Sequence, residues 1–439
     1  MFLGIVLWGL HYLGWVAYAP LVVVAALYYA GTGALVAAFE RRGVRSPWLV
    51  AAVWLVFEGL RMRWPLGGLA WAELGVALHD FSPARALASV GGAQLVTFVI
   101  VVWNGLVLEG VITLVRHRLR AFTFAVAGLV VLVTMTTIVV ATRFEPTVTG
   151  HIHFALLQGF DLPNAPPTQS VADRYATERH FELANRLRGQ FDLIVFPESA
   201  LDTDPESDPV LRARIAALAK DHGAALLVNA RHAARNGALY NANLAYNPDG
   251  TLQGIYAKQH LVPFGEYVPL RDELSFIGEL RQIPYDFTAG DTRRLFRAAG
   301  RPFASVICYE SAYADLVRDF VRDGAGAIVV STSDRSYRRS GMAAQHLAIG
   351  QMRAAETGRP LLQATISGVS GVVDARGDVL QRSSLFRNTV LEGTIRTTAG
   401  ETLFVRFGDW VLLVCGLVLI ALAALSVWRK RATTVDSDS

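Results

Sequence analysis

Residues 301–310 read RPFASVICYE, and this stretch decides the fold of the larger part of the chain. A Gly-Arg-Pro turn leads into an apolar run that predicts a buried strand, and the run ends on Cys308 as the sequence becomes polar. A cysteine at the end of a buried strand is placed like a nucleophile at the rim of a sheet. Cysteine is also often buried simply as a small hydrophobic residue. Both interpretations of Cys308 stay open on this stretch alone.

Short apolar runs of the same kind recur on either side of this stretch. The predicted strands cover residues 151–158, 191–196, 224–230, 303–308, 327–331 and 361–365. Amphipathic segments at 208–222 and 342–357 predict helices between some of them. Residues 239–246 and 252–257 are joined by Asn-Pro-Asp-Gly, which predicts a hairpin. Strands joined both by helices and by hairpins indicate a mixed α/β sheet with helices packed on it.

The composition indicates that other parts of the chain lie in a membrane. The 439 residues are 52% hydrophobic and 18% charged, with a mean hydropathy of +0.34. Residues 122–141 and 410–428 are uncharged apolar runs, each long enough to cross a ~30 Å hydrocarbon core as a helix. Residues 95–115, one or two segments within 3–38 and the shorter run at 47–60 are further candidates. The sequence therefore predicts a polytopic membrane protein.

The positive charge of the chain is explained by membrane topology. Its formal net charge is +4, but the basic residues cluster at the ends of apolar segments, which does not indicate nucleic-acid binding. The clusters lie at residues 40–45, 116–120 and 429–431. The positive-inside rule places such clusters on the cytoplasmic side, so the region between residues 143 and 405 is expected outside. Since Cys415 lies in an apolar run, no structural disulfide is predicted.

These observations predict four regions. Residues 1–142 form a helix bundle of about four or five spans, 143–405 an extracytoplasmic α/β domain, 406–431 a C-terminal transmembrane helix, and 432–439 a disordered cytoplasmic tail.

Two further segments carry polar residues suited to catalysis. Residues 191–199, FDLIVFPES, form a predicted strand that ends near Glu198. A carboxylate after a buried strand can be a general base, although acids at strand ends are usually solvated loop residues. Residues 256–269, YAKQHLVPFGEYVP, contain Lys258 within an irregular, proline-fixed path of the kind that positions functional groups. Lys258 is suited to supply a cation to a developing oxyanion.

A glutamate at one strand end, a lysine after a hairpin and a cysteine at another strand end follow in this order. This arrangement resembles the nitrilase, or carbon–nitrogen hydrolase, superfamily, whose triad is Glu-Lys-Cys on an αββα sandwich. Four segments narrow the resemblance to the apolipoprotein N-acyltransferase family: WLVFEGLRMRWPLGGLAW (54–71), KQHLVPFGEYVP (258–269), ICYE (307–310) and QHLAIGQMRAAETGRPLL (345–362). With the flanking spans, the resemblance covers nearly the whole chain.

The resemblance implies a nitrilase-like αββα sandwich fused to a polytopic transmembrane helix bundle. It implies that Cys308 takes an acyl group as a thioester and that Lys258 stabilises the tetrahedral intermediates. Glu198 would accept the thiol proton and later deprotonate the incoming amine. The positions implied to support this triad or bind substrate are Glu266, Tyr309, Glu310, His260 and Asp334.

The implied reaction transfers an acyl chain from a membrane phospholipid to the α-amino group of the N-terminal cysteine of a diacylglyceryl lipoprotein. The implied location is the bacterial plasma (inner) membrane, with the catalytic domain on the extracytoplasmic side. The expected partners are the phospholipid donor, the diacylated lipoprotein acceptor and the membrane, without a cofactor or nucleic acid. Two alternatives stay open: a membrane-tethered amide hydrolase that uses water as acceptor, and a non-catalytic relative that binds lipoproteins or partner enzymes.

The chain departs from the pattern of this family in three places. Where the family has Asn-Asp-x-Trp-Phe, residues 333–337 read SDRSY, which retains Asp334 but lacks an aromatic residue of the substrate pocket. After Gln158 and Gly159, the usual polar continuation is replaced by FDLPN at 160–164. We also expect five or six spans where the family has eight.

Histidines do not predict a metal site. The sequence scatters His151, His153, His180, His232 and His346 without the spacing of metal ligands. We therefore interpret these five residues as surface or packing side chains.

Overall fold

The protein is described by a computed structural model that covers residues 1–160 and 169–437. The chain forms two compact units. One unit contains Met1–Pro20 and Glu145–Val405, and the other contains Leu21–Phe144 and Arg406–Ser439. The first twenty residues therefore associate with the sandwich unit, whereas the sequence analysis grouped them with the helix bundle.

Helices come first, strands and helices then alternate, and helices close the chain. The first helices are α1 (Phe2–Val6), α2 (Trp15–Glu40), α3 (Pro47–Arg61), α4 (Ser82–Val115) and α5 (Leu119–Ala141). The middle of the chain contains β1 (Thr147–Gln158), α6 (Gln169–Arg186), β2 (Leu193–Val195), α7 (Pro209–His222), β3 (Ala225–Ala233), β4 (Leu239–Tyr246), β5 (Leu252–Ala257), β6 (Leu295–Ala298), β7 (Arg301–Ile307), α8 (Ala314–Arg322), β8 (Ala327–Thr332), α9 (Met342–Thr357), β9 (Leu361–Thr365), β10 (Gly371–Val373), β11 (Val379–Arg382) and β12 (Thr389–Ala399). The last helices are α10 (Leu403–Phe407) and α11 (Trp410–Ser437).

Two six-stranded sheets form the core of the sandwich unit, with strand orders β12-β1-β2-β3-β4-β5 and β11-β10-β9-β8-β7-β6. The central strands β1, β2 and β3 are parallel, as are β7, β8 and β9, while the outer strands pair antiparallel. Helices α6 and α7 pack on the first sheet through residues such as Phe181 and Ile215. Helices α8 and α9 pack on the second sheet. The predicted αββα sandwich is confirmed.

The elements predicted from local patterns are present. Each of the six predicted strands, the two predicted helices and the hairpin of β4 and β5 is formed. In that hairpin, Gly250 has a φ of 82°, which glycine adopts without steric cost. Strand β12 was not predicted. It pairs with β1 along almost its whole length, and such long-range pairing leaves no signal in a local pattern.

The topology brings polar residues to one edge of the sandwich. The parallel strands β2, β7 and β8 end just before Glu198, Cys308 and Asp334, respectively. Side chains in the middle of the sandwich join the two sheets. The amide of Asn243, on β4 of the first sheet, donates to the hydroxyl of Ser305, on β7 of the second sheet, at 2.7 Å. It also accepts a hydrogen bond from Ser331 on β8 at 2.9 Å. The strand ends of the two sheets are thereby held together.

A second polar link between the sheets is centred on Gln158, at the end of β1. Its side chain is fully buried, and its amide nitrogen donates to the carbonyls of Ser384 and Arg387. Its amide oxygen accepts hydrogen bonds from three hydroxyls, those of Thr365, Ser370 and Ser383, at 2.7–3.1 Å. Both ends of the buried Gln158 amide therefore have hydrogen-bond partners, without which its burial would be costly.

The other unit is made of apolar helices. Among the described residues, α2, α4 and α5 are long and apolar enough to cross a membrane, which fits a multi-pass membrane protein. Helix α3 has 15 residues, and the apolar part of the last helix is Trp410–Ser426. The backbone of α11 is helical as far as Ser437. Residues 432–437, which we predicted as part of a disordered tail, therefore continue this helix. Residues 438–439 lie outside the described part of the chain.

Buried polar residues brace the loop that follows α3. The guanidinium of Arg61, which is 1% exposed, donates to the carbonyls of Leu69 and Trp71 at 2.7 and 2.5 Å. Glu58 accepts from the backbone N–H of Leu74 and the hydroxyl of Thr97, both at 3.0 Å. These bonds satisfy loop backbone that has no regular secondary structure, as a low-dielectric surrounding requires.

Replacing Gln158 tests the link between the sheets. Gln158→Met keeps the length of the side chain but leaves two carbonyls and three hydroxyls without this partner. We expect the free energy of unfolding to fall by about 2–3 kcal/mol. Thermal unfolding of the purified protein in detergent would measure the change. The control is Gln381→Met on the exposed strand β11, where the effect should stay within about 0.5 kcal/mol. Equal melting temperatures for the two variants would contradict the assignment.

Candidate active site

Cys308 begins the Cys308 turn, which we define as the short 3-10 helix Cys308–Ala312 that directly follows β7. Its φ of 51° lies in the left-handed region, which is strained for a residue with a side chain. Ser199, after β2 of the first sheet, and Asp334, after β8 beside β7, also have positive φ values, of 59° and 52°. Three non-glycine residues with positive φ therefore lie just after strands that end at this edge, and strained backbone of this kind is common at functional sites.

Glu310 ties the Cys308 turn to the segment that carries Lys258. Its carboxylate is fully buried, and one oxygen accepts from the hydroxyl of Tyr256 at 2.8 Å. The same oxygen accepts from the backbone N–H groups of Gln259 and His260, at 2.6 and 3.2 Å. The other oxygen accepts from the N–H of Ile307 at 2.8 Å. Four groups thus donate hydrogen bonds to the carboxylate of Glu310, and together they fix the lysine segment against the end of β7.

Lys258 lies between two carboxylates. Its ammonium is 2.9 Å from an oxygen of Glu266 and 3.6 Å from an oxygen of Glu198, and its side chain is 1% exposed. A buried ammonium is stable only when it is paired and hydrogen-bonded. The two glutamates supply that pairing.

Asn241 on β4 holds both carboxylates from the other side. Its amide nitrogen donates to Glu198 at 2.8 Å and to Glu266 at 2.7 Å. The second oxygen of Glu198 accepts from the N–H of Ser333 at 3.0 Å, and that of Glu266 accepts from the N–H of Val262 at 2.8 Å. The two glutamates are therefore fixed in orientation as well as paired with the ammonium.

The electrostatics favour a protonated thiol beside a charged amine. Burial raises the pKa of the Cys308 thiol well above its ordinary value, and the Glu198 carboxylate adds to this, while Lys258 opposes it. Burial alone would lower the pKa of Lys258, but the charges of Glu266 and Glu198 raise it above its ordinary value. At neutral pH the resting site therefore contains an ammonium and a neutral thiol. A base must remove the thiol proton when the sulfur attacks.

The remaining predicted site residues lie around this centre. His260 stacks on Tyr313 with ring centroids 3.9 Å apart, and Tyr309 packs edge-on against the same ring at 5.2 Å. Asp334 is 4% exposed and its carboxylate lies 2.7 Å from the ring of His346. The structure therefore brings all eight predicted site residues into one region, with His260 contributing mainly its backbone N–H and a stacking surface.

His346 corrects one sequence interpretation. We interpreted it as a surface or packing residue, but it is fully buried on α9 and contacts both Asp334 and the carbonyl of Cys308. In the described part of the chain, Cys308, Asp334 and His346 form a group whose potential ligand atoms lie within 4.8 Å of one another. Asn241 was also missed. The signal for both was a polar residue within an otherwise buried element, LYNANLAY for β4 and QHLAIGQM for α9.

The departures from the family pattern lie beside this site. Ser336 is exposed, while the guanidinium of Arg335 lies over the ring of Phe160, 4.8 Å from its centroid. Burial raises the pKa of the Tyr337 hydroxyl well above its ordinary value, and the nearby Cys308 adds to this. The other departure continues through residues 161–164, which lie outside the described residues.

Replacing Glu310 tests its role as the tie between the two segments. Glu310→Gln would point an amide N–H₂ at groups that are themselves donors. We expect a loss of about 1–3 kcal/mol in unfolding free energy and slower alkylation of Cys308 by iodoacetamide, because Lys258 would no longer be held near the sulfur. Melting curves and intact-protein mass spectrometry would measure both. Glu392→Gln on the exposed side of β12 is the control. Wild-type stability and reactivity in Glu310→Gln would refute the tie.

Two family models match the chain. One, described as the apolipoprotein N-acyltransferase N-terminal domain, matches residues 1–106, and the other, described as carbon-nitrogen hydrolase, matches residues 167–402. Among solved structures, an amidase from Nesterenkonia sp. is 18% identical, with a TM-score of 0.42, covering 59% of this chain and 95% of that chain.

Curated relatives agree with both family models. The apolipoprotein N-acyltransferase of Methylococcus capsulatus is 33% identical over 389 residues, which are 87% of this chain and 74% of that protein. The protein of the same name from Vibrio vulnificus is 30% identical over 403 residues, again 87% of this chain and 74% of that protein. The chain therefore belongs to the apolipoprotein N-acyltransferase family, within the carbon–nitrogen hydrolases.

Proposed function

We propose that this protein transfers an acyl chain from a membrane phospholipid to the α-amino group of the N-terminal cysteine of a diacylglyceryl lipoprotein. The observation that carries the proposal is the buried ammonium of Lys258, held 2.9 Å from Glu266 and 3.6 Å from Glu198 beside a strained Cys308. Family membership supplies the substrate class. The apolar helices agree with substrates that are themselves lipids.

The first half-reaction forms a thioester. Glu198 takes the proton of the Cys308 thiol as the sulfur attacks the ester carbonyl of the phospholipid. The negative charge that develops on the carbonyl oxygen is stabilised by Lys258, whose ammonium is already desolvated and oriented. The ester C–O bond then breaks, and the proton on Glu198 passes to the leaving oxygen. The products are an acyl-Cys308 thioester and a lysophospholipid.

The second half-reaction transfers the acyl group to nitrogen. The α-amino group of the lipoprotein attacks the thioester carbonyl, and Glu198 accepts a proton from the attacking nitrogen. Lys258 again stabilises the oxyanion. The C–S bond breaks, and the proton on Glu198 returns to the sulfur. The product is an amide, and the free Cys308 thiol is regenerated.

Membrane anchoring favours this pair of substrates. Both the donor and the acceptor would be confined to the same bilayer as the apolar helices. Confinement raises the effective concentration of each substrate at the site without any new contact. A free amidase that acts on soluble amides would gain nothing from this arrangement.

The thioester is the decisive intermediate. With phospholipid alone, the wild-type protein should acquire one acyl group that neutral hydroxylamine removes, and the complete reaction should show ping-pong kinetics. Cys308→Ala should abolish both the label and turnover. Lys258→Ala should slow thioester formation by at least ~10²-fold, the usual scale for losing an oxyanion partner. Intact-protein mass spectrometry before and after hydroxylamine would measure these outcomes.

Glu198→Gln and a lipopeptide acceptor complete the test. Because Glu198 serves in both steps, Glu198→Gln should slow both half-reactions. A diacylated lipopeptide with a free N-terminus should remove the acyl label and gain an amide, whereas the same peptide acetylated at its N-terminus should not. A hydroxylamine-labile label that persists in Cys308→Ala would refute the mechanism. Release of free fatty acid without acylated peptide would indicate the amide hydrolase alternative.

We also propose that Glu145–Val405 lies on the extracytoplasmic side of the inner membrane. The basic clusters at 40–45, 116–120 and 429–431 support this orientation by the positive-inside rule. Lipoprotein N-termini anchored in the outer leaflet would then lie on the same side of the membrane as the site.

Reporter fusions would test this orientation. Alkaline phosphatase, which is active only outside the cytoplasm, should be active when it is fused after Glu145 and inactive when it is fused after Ser439. A reporter that is active only in the cytoplasm should give the opposite pattern. Reversed activities at the two positions would refute the proposed sidedness.

A further inference from the structure

The Cys308 turn has an unusual backbone that needs an external support. Cys308 and Asp334 are both non-glycine residues in the left-handed region, with φ values of 51° and 52°. Such conformations persist only where the surrounding structure over-determines them. Cys308 is the proposed nucleophile, so whatever holds its backbone also sets the direction of its sulfur.

One side chain contacts both strained residues. His346 on α9 is fully buried, and its Nδ1 lies 2.7 Å from Oδ1 of Asp334. Its Nε2 lies 3.1 Å from the carbonyl oxygen of Cys308 and 2.9 Å from the hydroxyl of Ser311, also in the Cys308 turn. Thr332 adds a hydrogen bond to Asp334 at 3.2 Å.

We propose that His346 is a positioning residue for the reaction: it bridges the carbonyl of Cys308 and the carboxylate of Asp334, and so holds the nucleophile in its left-handed conformation. The proposal deepens the proposed function and rests on it for the role of Cys308. Because the carbonyl of Cys308 and the N–H of Tyr309 belong to one peptide plane, the bridge also fixes the direction of that N–H. We therefore expect His346 to affect the chemical step more than substrate binding.

A metal site is the alternative explanation of the same group. Sulfur, carboxylate and imidazole within 4.8 Å of one another match the donor types of a zinc site. However, both ring nitrogens of His346 already have hydrogen-bond partners within the protein. These bonds explain the arrangement without an ion, so we favour the positioning role and make metal dependence an outcome of the test.

Two substitutions test the two contacts of His346 separately, the one with Asp334 and the one with the carbonyl of Cys308. In His346→Gln, the side-chain amide is placed like Nε2 and can still donate to the carbonyl of Cys308. In His346→Asn, the shorter amide is placed like Nδ1 and can reach only Asp334. His180→Gln is the matched control, because His180 is also fully buried with both ring nitrogens hydrogen-bonded, to Gly159 and Ala176.

The first readout is the rate of thioester formation with phospholipid in detergent, compared at equal folded fraction from melting curves. His346→Asn should lose about 10²-fold in this rate, the scale expected for a misplaced reactive group, with little change in the KM for phospholipid. His346→Gln should retain clearly more activity than His346→Asn. His180→Gln should affect the melting temperature but not the rate for each folded molecule.

The second readout needs no lipid, so it can fail independently of the proposed function. It is the pH dependence of Cys308 alkylation by iodoacetamide, assigned by peptide mass spectrometry to exclude Cys415. Among the groups that act on the thiol, Glu198 and Asp334 raise its pKa, while Lys258 and a hydrogen bond with Thr332 lower it. The hydroxyl of Tyr337 is also close enough to interact with the thiol. Because Glu198 and Lys258 lie 3.6 Å apart and act on the thiol in opposite directions, a sulfur that has moved relative to them should titrate at a different pH. We therefore expect the profile to shift along the pH axis in His346→Asn and to stay unshifted in His180→Gln.

Three results would overturn the positioning role. The first is a folded His346→Asn protein with the wild-type thioester rate and alkylation profile. The second is equal loss in His346→Gln and His346→Asn with an unshifted profile, which would indicate a structural role only. The third is loss of wild-type activity on chelation with recovery on addition of Zn²⁺, which would indicate a metal site. If the wild type forms no thioester but the alkylation profiles shift as expected, the proposed function fails while His346 still positions Cys308.

Discussion

The burial of the Lys258 ammonium is the constraint on which the site depends. An ammonium at 1% exposure is tolerable only because Glu198 and Glu266 lie within 3.6 Å and 2.9 Å of it. Those carboxylates are in turn held by Asn241 and by backbone N–H groups. Each member of the group therefore needs the others, and losing one partner of a buried ion pair typically costs about 3–5 kcal/mol. The cation is fixed in place before any substrate arrives.

The sandwich makes this arrangement possible because it brings the ends of strands from different sheets to one edge. Glu198 follows β2 of the first sheet, while Cys308 follows β7 of the second. Hydrogen bonds inside the sandwich, at Asn243 and at Gln158, fix the position of one sheet relative to the other. Glu310 then connects the lysine segment to the end of β7. Fold stability and site geometry are thus maintained by the same buried hydrogen bonds.

The sequence predicted best those strands and site residues that depend on neighbouring positions in the chain. Apolar runs placed the central strands, and the residues after their ends, Glu198 and Cys308, were identified as candidates. Strand β12 was not identified, because its pairing with β1 joins segments more than 200 residues apart. Asn241 and His346 were missed for a related reason. Each is an ordinary polar residue in its own element, and its importance arises only from partners that other elements bring to it.

The raised pKa of the Cys308 thiol also bears on its chemical durability. Peroxides and disulfides react with thiolates rather than with neutral thiols. A sulfur that burial and Glu198 keep protonated at rest is therefore a poor target for oxidation. It becomes nucleophilic only when Glu198 removes its proton during attack on a bound carbonyl. The catalytic unit is proposed to lie outside the cytoplasm, where no glutathione pool would restore an oxidised cysteine. The low reactivity of the resting thiol allows this single essential cysteine to remain reduced between turnovers.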